Sequence, residues 1–420
     1  HRVLSAIADA DGERDRQLAL LQRVDLVREE RRVPGRVYAF RHGLLQEVAY
    51  GSLLQRRRRE LHARVGAVLE DLLGERPEEY AGLIGRHFAE AGDQRAMRYL
   101  RSAGERAVRL HALDDAIDHF DRALALAPKV SVETDDLVAL YGGKGRALEL
   151  RADYDGALAT YAEMERAGRE RADRRLELAG LARSVSIYAT PTTKQDLPRA
   201  KELLDAAIPA ARALGDRELL ARLLWNDLQT KNWAGDRDGA VRSGEEALGI
   251  ARELGLREQE AYLSLDLPRV YRMGGHPPPS IWDTVRRGIE LFRELGNRPM
   301  VADGLSTVAV AQFGQGEYDA ALRSGSEALA ISEEIGNLWG QSFSRFATPF
   351  IQFERGEWGA ALREWETGIR LAREAGFRAG ELGPGVDMAF AVHTAGDLGR
   401  ALQLLERPLA LSETMGDLAF

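Results

Sequence analysis

The chain has 420 residues, 45% of them apolar and 30% charged, a folded composition too hydrophobic for intrinsic disorder. Its 58 basic and 66 acidic residues sum to a net charge of −8, which argues against a nucleic-acid-binding protein. The absence of cysteine removes disulfides, thiol nucleophiles and thiolate metal sites. The lack of cysteine fits the cytoplasm, the expected compartment, and no apolar run reaches the ~18–20 residues of a membrane span, so no membrane role is expected. The first residue is His1 and no signal-peptide pattern follows, so the chain reads as a piece of a longer protein.

In chain order, Leu18 to Glu29 reads as an amphipathic helix, with Leu18, Leu21, Val24, Leu26 and Val27 on the apolar side. A turn follows at Pro34-Gly35, then a short strand at Val37-Tyr38-Ala39-Phe40, then helical spacing from Arg41 to Leu54. The order helix, turn, strand, helix suits a winged-helix module. The run Arg56-Arg57-Arg58-Arg59 reads as a solvated helix face rather than a nucleic-acid contact.

Beyond residue 95 a period appears. Gly215, Gly255, Gly296, Gly336, Gly376 and Gly416 are spaced 40, 41, 40, 40 and 40 residues apart. Inside this series lies a second, Gly235, Gly316, Gly356 and Gly396, each followed by Asp or Glu and, five residues on, by Ala240, Ala321, Ala361 or Ala401. The segments between carry apolar residues at helical spacing, and glycine suits the chain reversal between two helices. The repeating unit is therefore a helix–turn–helix. The segment from Met97, with Leu100, Gly104, Ala107, Ala116, Phe120, Ala123 and Pro128, resembles the tetratricopeptide repeat, here in a version of about 40 residues. Eight units run from about Met97 to Gly416, and 416–420 resembles the start of a ninth. Pro268 and Pro349 fall inside first helices and Pro408 inside a second, while 276–279 replaces the turn of the fifth unit.

The expected fold is all-α: a tetratricopeptide-repeat superhelical solenoid at 96–420 after a small winged-helix-like segment at 1–95. The run from Tyr38 through His42 to Tyr50, with Arg57-Arg58-Arg59-Glu60-Leu61-His62, resembles the end of the ATPase module in bacterial signal-transduction ATPases with numerous domains. Those proteins join an ATPase and tetratricopeptide repeats to an adenylate or guanylate cyclase or to a protein kinase. The resemblance implies a nucleotide-sensing role for His42 in the parent protein, although Arg41-His42-Gly43 stands where the family usually has Met-His-Asp. It also implies the upstream ATPase domain as a partner within the same chain.

Little else carries chemistry. Gly142-Gly143-Lys144-Gly145 lacks both the earlier glycine (Val138 stands there) and the Ser or Thr of a phosphate loop, and Gly145 occupies a small helix-packing position. The eight histidines include no His-Glu-x-x-His pattern. No catalytic residue, metal or cofactor is assigned, and the chain is not expected to be an enzyme.

In the repeat family, first-helix residues line the binding face. Mapped here, that face takes Arg222, Trp225, Gln229, Asn232, Tyr262, Leu265, Arg269, Arg272, Asp303, Ser306, Val310, Phe313, Phe343, Phe346, Phe350, Phe353, Gly383, Val386, Phe390 and His393. Phe343, Phe346, Phe350 and Phe353 share one face of a single helix if Pro349 is tolerated within it, either as that helix's core or as an exposed groove. The expected function is a regulatory protein-interaction scaffold binding a protein, a peptide or a second copy of the chain. The alternative is the sensor region of a maltose-activator-type transcription regulator, where similar repeats bind a small inducer.

Overall fold

The computed structural model describes residues 2–7, 11–31, 36–73, 77–190, 192–273 and 281–415. The expected features at Pro34-Gly35, Pro191, 276–279 and 416–420 lie outside them. The chain forms two compact units, His1–Gly180 and Leu181–Phe420. The boundary expected at residue 95 falls inside the first.

The first unit opens with α1 (Arg2–Ile7) and α2 (Asp11–Arg23), followed by β1 (Val27–Arg31) and β2 (Val37–Phe40). The strands pair antiparallel, Val27 opposite Phe40 and Glu29 opposite Tyr38. The helix expected to run to Glu29 therefore ends earlier. Asp25 takes a left-handed conformation with φ 56°, which stops the helix and lets Val27 enter the sheet, where it is buried. After α3 (Gly43–Ser52), two longer helices, α4 (Gln55–Leu72) and α5 (Pro77–Ala91), pack together. A Cβ at Gly66 would overlap the fully buried ring of Phe88, so that crossing needs glycine. The arginine run lies on α4, where Arg56 and Arg57 pair with Glu60 and Arg58 lies over the Tyr50 ring at 5.1 Å.

Helix pairs then repeat: α6 (Arg95–Arg109) with α7 (Leu113–Leu126), and α8 (Thr134–Leu150) with α9 (Tyr154–Glu170). Phe120 of α7 is fully buried against the faces that Gly104 and Gly143 leave open, and Tyr161 of α9 fills the space over Gly145. The Gly142–Gly145 run lies in mid-helix and holds α8 close to its neighbours, while Lys144 pairs with Asp121 at 2.8 Å. α10 (Arg174–Ala189) runs across the division between the units.

The second unit continues with α11 (Leu197–Leu214), then α12 (Arg217–Trp233) with α13 (Arg237–Leu254), α14 (Arg257–Met273) with α15 (Ile281–Glu294), and α16 (Arg298–Gly314) with α17 (Tyr318–Glu334). The seventh first helix is split into α18 (Leu338–Phe343) and α19 (Thr348–Glu354), which pair with α20 (Trp358–Glu374). The last pair is α21 (Arg378–Thr394) and α22 (Leu398–Met415). Among the described residues, the helices from α6 onward follow one another at the expected period.

The period has a plain physical origin. Each glycine of both series from Gly215 to Gly396 has positive φ, the conformation that ends a helix. The next residue often starts the following helix: the side chains of Asp216, Asp236, Asn297 and Asn337 each accept a hydrogen bond from the backbone three residues on. The alanines after the second series, Ala240, Ala321 and Ala361, are buried to 1% or less, where two helix backbones approach.

The prolines act differently. Pro268 and Pro408 stay inside α14 and α22, with Pro408 seated on the flat face of Gly385. Pro349 instead stands at the start of α19, because a first-turn proline removes no hydrogen bond. The single helix expected through Pro349 is therefore two short helices.

Candidate functional site

Within the second unit, the first helices of successive pairs enclose a cavity of about 320 Å³. α12 contributes Gln229, Asn232 and Trp233; α14 gives Asp266 and Arg269; α16 gives Asp303, Thr307 and Val310. α18 supplies Trp339 and Phe343, the link to α19 supplies Phe346, and Phe377 and Ala379 come from the start of α21, with Thr190 completing the lining.

One wall is aromatic. Trp339 packs on Phe343 and Phe377 with ring centroids 5.3 and 4.8 Å apart. Phe346 meets Phe343 edge-on at 5.0 Å and stacks on Phe377 at 6.3 Å. The facing wall is an ion network. Trp225 Nε1 and Gln229 Nε2 each donate to Asp266 Oδ2 at 2.8 Å. Arg269 donates to Asp266 Oδ1 at 3.1 Å, to Thr307 Oγ1 at 2.7 Å and to the Asp303 carboxylate. The Arg269 guanidinium also lies 5.7 Å from the Phe343 ring centroid, which joins the two walls.

The network is largely withdrawn from water: the side chains of Asp303, Asp266 and Arg269 keep 4%, 13% and 26% of their surface. Burial pushes the Asp266 carboxyl above its ordinary value, against the pull of Arg269 and Trp225. Burial also works against the Arg269 charge, but Asp303 and Asp266 outweigh it and hold the guanidinium above its usual value. Two acceptors remain without a hydrogen-bond partner: Asp303 Oδ1 and Asn232 Oδ1.

The phenylalanine stripe divides at the break between α18 and α19. Phe343 and Phe346 line the cavity. Phe350 and Phe353 pack instead on a core cluster around Trp365, and Phe350 also stacks on Phe313 at 5.3 Å. Trp225 and Tyr262 stand behind the network with rings 5.6 Å apart, and Tyr262 packs edge-on against the buried Phe292. Leu265 and Ser306, mapped to the same face, are buried core. Phe390 is 68% exposed on α21, away from the cavity lining. In the first unit, His42 is exposed at the N-cap of α3, in extended conformation and with no side-chain cap bond.

The position mapping missed Thr190, Trp233, Asp266, Thr307, Trp339, Phe377 and Ala379. Two carried a signal. Asp266 precedes Arg269 by three residues, the spacing of an ion pair on one helix face. Phe377 stands where Asp216, Asn297 and Asn337 cap their helices, and an apolar residue there makes no cap bond.

No protein-family model matches the chain. An uncharacterized protein of Rhizobium meliloti (strain 1021) is 32% identical over 111 residues, which span 26% of this chain and 11% of that protein's length. Among solved structures, a Rap protein complexed with competence and sporulation factor aligns at TM-score 0.60 and 11% identity, over 89% of this chain and 98% of that one. A signal-transduction ATPase with numerous domains from Pyrococcus horikoshii, which carries a tetratricopeptide-repeat sensor, aligns at 0.55 and 14% identity, over 94% of this chain and 57% of its own. The apo quorum sensor NprR from B. thuringiensis aligns at 0.50 and 12% identity, over 87% and 99%. At such identities the likeness establishes the fold, an array of tetratricopeptide-like helix pairs. The chemistry of the cavity rests on the residues of this chain.

Proposed function

We propose that the chain is a regulatory protein-interaction scaffold, the repeat region of a larger signalling ATPase, and that it binds a peptide or protein segment in the cavity bounded by Arg269, Phe343 and Phe346. The observation that carries this is the meeting of an aromatic wall with a buried ion network on the first helices of successive repeats. Apolar enclosure with a few placed polar groups is how protein sites fix a ligand's orientation. The solved proteins of similar fold add support: one is described in complex with competence and sporulation factor, another as a quorum sensor. In the parent protein, His42 reports on nucleotide bound by the upstream ATPase. That reading rests on the resemblance of the run around it, and His42→Ala in the parent should alter nucleotide retention.

The test is selection of random peptides on the immobilised chain, repeated with Phe346→Ser. Peptides that bind the native chain and lose binding to the variant support the reading. A selection that yields none sensitive to the cavity overturns it. A second reading, a small inducer as in maltose-activator-type regulators, is favoured by the cavity volume of about 320 Å³, the lower end of small-molecule sites. Its signature is thermal stabilisation by small metabolites together with an empty peptide selection.

A further inference from the structure

We infer that the cavity recognises a cationic side chain, the guanidinium of an arginine or the ammonium of a lysine, presented by the bound peptide. This rests on the peptide-binding reading above and names what anchors the peptide.

The argument is one of donors and acceptors. The ionisable residues lining the cavity are Asp266, Asp303 and Arg269, two negative charges against one positive. Arg269 is shared among Asp266, Asp303 and Thr307, and Gln229 donates to Asp266. What remains unpaired are acceptors, Asp303 Oδ1 and Asn232 Oδ1. A ligand carboxylate or phosphate would meet two carboxylates, with the one guanidinium of the lining already bonded to both. A purely apolar ligand would cover the aromatic wall and seal two acceptors away from any donor. A long cationic side chain satisfies both walls: its methylene stem lies along Trp339, Phe343 and Phe346, and its head donates to Asp303 and Asn232. The aromatic wall already holds one guanidinium at its edge, Arg269 over Phe343. Within the repeat plan this specificity is built from one carboxylate, since Asp303 alone of the lining carboxylates keeps an oxygen without a partner.

The experiment uses the whole chain and four probes: the acetylated amides of arginine, citrulline, norleucine and glutamate. Binding is read from the fluorescence of Trp233 and Trp339, which line the cavity. The arginine probe should bind at least about tenfold more tightly than citrulline, its neutral counterpart, as expected for a close charge pair. Asp303→Asn should bring the two probes together. Asn232→Leu, on α12 and outside the ion network, should weaken the arginine probe while melting like the native chain. Citrulline or norleucine binding as well as arginine overturns the inference, as does a preference that survives both variants. Peptides selected as above that depend on Phe346 yet carry no basic anchor also overturn it, and leave the peptide-binding reading standing. A peptide selection without cavity-dependent binders removes that reading itself.

Discussion

Trp225 Nε1 lies 2.8 Å from Asp266 Oδ2, a hydrogen bond that joins the first helices of two consecutive repeat units. The indole also packs against Tyr262 of α14, with ring centroids 5.6 Å apart. The contact therefore links stacking of neighbouring repeats to the position of the carboxylate that holds Arg269.

Trp225→Phe keeps most of the ring contact and removes the donor. Losing a hydrogen bond to a mostly buried carboxylate should lower stability by about 1–3 kcal/mol. Urea unfolding measures this. In an Asp266→Asn background the same substitution should cost less, because the acceptor is no longer charged. An equal cost in both backgrounds would assign the loss to packing alone.

The divided phenylalanine stripe separates two kinds of residue that share one sequence pattern. Phe350 is partly buried between Phe313 and Trp365, at centroid distances of 5.3 Å to each, so Phe350→Ser should cost about 2–4 kcal/mol, somewhat less than for a fully buried phenylalanine. Phe346 lines the cavity and its stacking partner Phe377 lies 6.3 Å away, so Phe346→Ser should cost clearly less while abolishing ligand binding. Paired urea and peptide-binding measurements on the two variants check the division. Equal destabilisation by both would place Phe346 in the core.

How far the sequence reached follows from what each feature depends on. The helix pairs were readable because they rest on local rules: glycine at positive φ, Asp or Asn at the cap and alanine at the crossing recur with the period. The position mapping placed Gln229, Asn232, Arg269, Asp303, Val310, Phe343 and Phe346 on one face, and all of them line the cavity. The fate of the stripe was not readable, because it depends on whether Pro349 kinks a helix or starts one, and the surrounding repeats decide that. The extent of α2 was missed for a similar reason. The apolar spacing of Leu26 and Val27 fits a helix, but pairing of β1 with β2 wins once Asp25 adopts positive φ.

Asp387, on α21, has its carboxyl pushed up to about 6 by burial. The folded state therefore keeps its proton between the unfolded value of 3.8 and about 6, where the unfolded chain gives it up. Stability must fall as the pH rises through this window, and the loss persists above it. Asp387→Asn, which carries no charge at any pH, should stabilise the chain at neutral pH by about 1–2 kcal/mol, the shift discounted for partial solvent screening. Melting curves should show the gain disappearing near pH ~4, below which aspartate is neutral in both states. A gain independent of pH would mean that the asparagine acts through a new hydrogen bond.

The last prediction comes from repeats that lack the turn glycine. Ala152 and Ala172 hold φ of 59° and 54°, the conformation that glycine takes at Gly235, Gly316, Gly356 and Gly396. Ala152 follows α8 and Ala172 follows α9, and each donates its backbone N–H to a helical carbonyl three residues back, so the turn itself matches the glycine turns. An L-residue pays for that conformation through its Cβ, by roughly 1–2 kcal/mol. Glycine removes the clash but leaves the unfolded chain with more freedom, which offsets part of the gain. Both alanines are exposed, so the substitution gives up no packing. Ala152→Gly and Ala172→Gly should each stabilise the chain by about 0.5–1 kcal/mol, and the pair should add, because they lie in different turns. The contrast is Gly145→Ala in the same unit. There the new methyl would overlap the buried Tyr161 ring and should cost about 1–3 kcal/mol. Denaturant midpoints for the three variants and the double variant decide the matter. A loss of stability on either alanine-to-glycine change would show that unfolded-chain entropy outweighs relief of the left-handed turn.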